Sequence, residues 1–96
     1  MNFLHSRLQL RANALVEVSL SRPGANVMIM SDFNYDRYSR GQPFEYYGDN
    51  FNTTQVRLVA PTTGFWNLVV DLGGAPGTIS ATYSVTQVPP GTSARR

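Results

Sequence analysis

A chain of 96 residues, 42% apolar and 15% charged, suits one packed domain and is too apolar and too weakly charged for a disordered one. It has no cysteine, so a disulfide framework and a thiolate metal site are both excluded and packing alone must hold the fold. The net charge of +2 does not mark a nucleic-acid binder: through residue 88 six arginines offset six acids, the surplus is Arg95 and Arg96, and no basic stripe remains to track phosphates.

A first strand is expected within residues 2–10, where His5, Ser6, Arg7 and Gln9 interrupt the apolar residues. The same interruption argues against a signal peptide, and no apolar run approaches the ~18 residues of a membrane span. The expected location is therefore cytoplasmic, with no membrane partner. Residues 14–21 alternate cleanly, Val16, Val18 and Leu20 against Leu15, Glu17 and Ser19, which predicts a half-buried strand. Pro23-Gly24 turns the chain into the next strand at 26–30.

Residues 31–54 are too long for a structureless link in a small domain. Ser31 or Asp32 as N-cap and Gly41 beyond the last turn predict a helix at 33–40, and "PFEYY" (43–47) reads as a short strand. Seven of the eleven aromatic residues fall here, which makes the segment the best place to look for a recognition surface. Its alternative use is a small core of its own. By strand alternation Phe44 and Tyr46 share the packed side, and Tyr47 points outward with Arg40 as its expected charged neighbour.

Residues 55–60 and 65–72 read as strands of a hairpin closed by Thr62-Thr63-Gly64, with Gly64 in the left-handed region. In that register Val56, Leu58 and Ala60 share a face with Trp66, Leu68 and Val70. Asp71 falls on the opposite, polar face, ahead of the "GGAPG" loop, where an acid commonly caps backbone N–H groups and tolerates replacement by Asn. A last strand at 78–88 alternates Ile79, Ala81, Tyr83 and Val85 against Thr and Ser, and 89–96 reads as a polar, frayed tail.

The order Asn26-Val27, Met30, Asp32-Phe33, Tyr38, Gly41, Tyr46-Tyr47-Gly48, Pro61, Gly64, Trp66 and Val70-Asp71-Leu72-Gly73-Gly74 resembles an uncharacterised bacterial family of small β domains, a domain-of-unknown-function family. Its members stand alone or are fused to TIR domains. The resemblance covers about residues 1–87 and implies an all-β sandwich, with no catalytic residues to carry over. The Gly-Asp pair expected of the family before the second strand is Asn13-Ala14 here, and Asn still tolerates a left-handed turn.

No pattern carries catalysis. Asp32-Phe33-Asn34-Tyr35-Asp36 has the opening spacing of a calcium loop, but Arg37 and Pro43 stand where the glycine and the bidentate acid belong. His5 is the chain's one histidine, no nucleophile elbow is present, and "GGAPG" leads into a strand rather than the helix a phosphate cradle needs. The sequence therefore predicts an all-β antiparallel sandwich of seven or eight strands with one short helix, a single domain over 1–88. It predicts a non-catalytic binding or sensing module with no metal or cofactor, its partner an unidentified protein or small molecule. Candidate binding residues are Tyr35, Arg37, Tyr38, Arg40, Tyr47 and Asp71. The alternatives are self-association through a sheet edge to give a homodimer, and carbohydrate binding on an aromatic platform.

Overall fold

The computed structural model describes residues 3–87, so the expected tail at 89–96 lies outside the described residues. The alternating stretches form β1 (Phe3–Leu10), β2 (Leu15–Leu20) and β3 (Ala25–Met30). Then come α1 (Asp32–Ser39), β4 (Tyr47–Phe51), β5 (Gln55–Val59), β6 (Gly64–Asp71) and β7 (Ala81–Thr86). One antiparallel sheet has the order β1-β6-β3-β4 and the other β5-β2-β7. They stack as a sandwich around Val16 and Val18 of β2, Val27 and Ile29 of β3, and Leu68 and Val70 of β6, all buried. Full burial of such a side chain stabilises by about 1.5–3 kcal/mol, which makes this layer the main support of a domain without cross-links. Asn13 turns the chain between β1 and β2 with φ 71°, the left-handed geometry its side chain tolerates.

The expected hairpin at 55–72 is not formed. β5 pairs with β2, whereas β6 pairs with β1 and β3, so the chain crosses between sheets at residues 60–63. The face assignment survives: Val56, Leu58 and Ala60 meet Trp66, Leu68 and Val70 across the core instead of beside them. Alternation reports which way a side chain points and is silent on which strand lies alongside. Gly64 has φ 155°, positive but far from the value near +60° of a left-handed hairpin residue. The Trp66 indole N–H donates to Thr62 O at 2.9 Å and ties down the crossover.

β6 is buried on both sides. Asn67, Val69 and Asp71, expected on a solvated face, lie beneath α1. The helix forms where the caps predict: Ser31 Oγ accepts the Asn34 N–H at 3.2 Å, and Gly41 follows the last turn at φ 72°. "PFEYY" is not a strand. Asn34 Oδ1 accepts the Glu45 N–H and Arg37 donates to Pro43 O, so this backbone bonds to the helix and sheet pairing begins only at Tyr47. Gly48 then brings β4 against β3 with φ 143°, and a side chain there would collide with the Val27 carbonyl. The last strand starts at Ala81 rather than at 78, with Ser80 bonded to Ser21 just beyond the end of β2. No helix among the described residues is long and apolar enough to cross a membrane.

Candidate functional site

Two aromatic groups flank α1, and they differ in what their hydroxyls meet. On the covered side Tyr38 is buried and donates its hydroxyl to Asp71 Oδ2 at 2.5 Å. The other Asp71 oxygen accepts from Asn26 Nδ2 at 2.7 Å and from the Gly73 N–H at 2.9 Å. Asp71 therefore does cap the following loop, as expected, but it is also the buried acceptor that fastens α1 and β3 to β6. Three donors on one carboxylate compensate its removal from water. Burial first, and then the Asp71 carboxylate, push the Tyr38 phenol above its usual range. Gly73, at φ 61°, leaves room for the Asn26 amide.

Tyr35 stacks on the His5 ring with centroids 4.0 Å apart, and Phe3 and Phe44 meet Tyr38 edge-on at 5.0 and 5.1 Å. Tyr35, Tyr38 and Asp71, all proposed from sequence as binding residues, thus belong to a second small core. Asp32 straps the outside of this layer. It accepts two bonds from Arg7, at 3.0 and 2.7 Å, and one from Asn67 Nδ2 at 2.7 Å. The Arg7 bonds, and next the Asn67 bond, draw its pKa down to about 2.

Arg37 of α1 is half-buried and Arg40, its C-cap, is exposed, and both are engaged. Arg37 Nε donates to Pro43 O with its guanidinium over Phe33, and Arg40 pairs with Asp36 at 3.1 Å. The expected pairing of Arg40 with Tyr47 does not occur, because Arg40 is turned to its own helix. Tyr47 is exposed as expected (54%), but Tyr46, expected to be packed, is exposed too (46%), since strand alternation does not extend to it.

These two tyrosines open a groove of about 570 Å³ between the 42–46 segment and the β4 edge. Phe44 and Tyr46 form one wall, with ring centroids 5.4 Å apart. Tyr47, packed edge-on against Trp66 at 5.7 Å, forms the other. Buried Met30 lies at the floor, and Glu45 brings the lining's one charged group. Ser31 and Asn34 also border it but bond to each other and to backbone. Of the sequence candidates only Tyr47 reaches this groove. Trp66 is core, as expected, and Phe44 is partly buried against the second core, so of the groove's rings Tyr46 alone departs from the expected packed side. The signal available in the sequence was Pro43, which has no N–H to give a strand ladder and so argues against a strand over 43–47.

Besides Glu45 the lining's titratable groups are the Tyr46 and Tyr47 phenols, so what the groove provides is ring surface, two hydroxyls and one carboxylate. Among the described residues no three His, Asp or Glu side chains converge to hold a metal. A comparison with curated proteins found no match, and a comparison with solved structures found none. A family model does match residues 1–89, and the chain belongs to that family, the domain of unknown function DUF1883.

Proposed function

We propose that this domain is a non-catalytic binding module and that the groove walled by Phe44, Tyr46, Tyr47 and Trp66 is its binding surface. The observation that carries the reading is the exposure of Tyr46 and Tyr47 beside a concave space, next to tyrosines of the same segment that are packed away. Large rings left in water around a hollow are the usual anchors of recognition. A non-catalytic role follows from the lining, which offers no acid–base pair and no nucleophile with a base. A sensing role has further support in the resemblance to domains joined to TIR domains.

A thermal-shift screen of nucleotides, sugars, amines and short peptides tests it. A ligand of the module raises the melting temperature of the native chain and not that of Tyr46→Ala/Tyr47→Ala. Ligands whose shifts persist in that variant would contradict the placement of the site.

A second reading, self-association, is favoured by the opposite flank. The β1 and β7 edges border an apolar cleft lined by Leu4, Val18, Leu68, Val70 and Tyr83, with Leu4 and Tyr83 exposed. Unpaired edges beside exposed apolar side chains template strand addition. Light scattering across concentration decides it: a constant monomer mass removes this reading.

A further inference from the structure

We infer that the groove takes a small monocation bearing a methylated ammonium group, of the choline type; this rests on the reading of the groove as the binding surface. Residues bearing four aromatic rings line the space, and the one charged lining group is the Glu45 carboxylate. No arginine or histidine lines it. Among the described residues Glu45 forms no salt bridge. Ring faces carry negative potential, so rings plus a carboxylate attract a cation, and a weakly hydrated methylated cation gives up least water on entry.

The other ligand chemistries fit poorly. An anion would meet Glu45 with no cation lining the groove. A sugar needs several directional partners, and with the Trp66 indole N–H held by Thr62 O the lining side chains left to supply them are the Tyr46 and Tyr47 hydroxyls and Glu45. The Asn34 side chain is likewise held, by Ser31 and the Glu45 backbone. Arg37 adjoins in the neighbouring hollow, yet its Nε is fixed on Pro43 O and its charge lies over Phe33, so the protein's own cation is directed elsewhere. Glu45 also discriminates within the class, because it repels the carboxylate of a zwitterion such as glycine betaine.

Trp66 is the chain's one tryptophan, so its fluorescence reports this groove directly. Choline, glycine betaine and the uncharged choline isostere 3,3-dimethylbutan-1-ol are titrated against the full chain. Choline is expected to saturate the signal, with the isostere weaker by roughly five- to thirty-fold, the range of a cation–π contribution. Betaine is expected to be weaker than choline, and Glu45→Gln is expected to narrow that difference. Tyr47→Ala is expected to abolish the response and Tyr47→Phe to retain it, with circular dichroism melts showing both variants folded. Equal binding of choline and the isostere, lost in Tyr47→Ala, would overturn the cation assignment while leaving the groove a binding site. No response to choline at millimolar concentration would also overturn it, and the thermal-shift screen then judges the broader reading separately.

Discussion

Tyr38 and Tyr47 carry the same ring, lie nine positions apart, and meet opposite fates. Tyr38 is sealed under the helix, where Asp71 accepts its hydroxyl. Tyr47 stands at the start of the edge strand β4, 54% exposed, with the Trp66 ring edge-on to it. The difference lies in the neighbours. A central strand, β6, supplies a buried carboxylate and a floor for one ring, whereas the edge strand carries the other at the border of the sheet. One aromatic-rich segment thus makes a core on one side of α1 and a groove on the other, and composition alone does not separate the two.

Removing the covered ring breaks the comparison most severely. Tyr38→Ala is expected to cost about 3–5 kcal/mol, a core-aromatic truncation, against a total stability of about 5–15 kcal/mol for domains of this kind. Tyr38→Phe isolates the hydroxyl and is expected to cost about 1.5–3 kcal/mol, the scale of a bond to a charged acceptor. Denaturant unfolding of the pair separates ring from hydroxyl.

Gly48→Ala comes next. It strains a positive-φ position and drives a methyl group into the Val27 carbonyl, with an expected cost of at least about 2 kcal/mol. Hydrogen exchange should show β4 loosened, and with it the Tyr47 wall of the groove. Asp71→Asn is expected to cost about 1–3 kcal/mol, because an amide turns donors toward donors where three hydrogen bonds converge. This sharpens the expectation from sequence that Asn would serve there as well as Asp.

The smallest effect is electrostatic. Asp32 titrates near pH 2 in the folded chain, below its unfolded value near 4. Its contribution is complete above about pH 4 and is lost as the pH falls toward 2. Arg7→Gln should flatten the acid limb of the stability curve in that window, and added salt should do the same because the pair is exposed.

The same contrast explains what was legible beforehand. Val16, Val18 and Leu20 announced a strand, and Ser31 with Gly41 announced a helix, because periodicity and caps are local signals. Which strand lies beside which is a long-range matter. Residues 55–72 therefore read as a hairpin although β5 and β6 belong to different sheets. Asp71 was legible as a loop cap from the glycines after it, but its burial depends on a helix more than thirty residues upstream. For the groove, Tyr47 was placed in solvent by strand alternation over 43–47, whereas its exposure comes from its place at the start of the edge strand β4. Tyr46 was misplaced by extending alternation into a segment whose backbone bonds to the helix.

The central claim is that the groove aromatics are not needed for the fold. Denaturant unfolding of Tyr46→Ala/Tyr47→Ala measures this directly. The account predicts a stability within about 2 kcal/mol of the native chain, the scale of two surface changes plus the Tyr46–Phe44 and Tyr47–Trp66 ring contacts. A loss as large as that of Tyr38→Ala would mean that both tyrosines are core residues, and the groove would then be a packing defect rather than a binding surface.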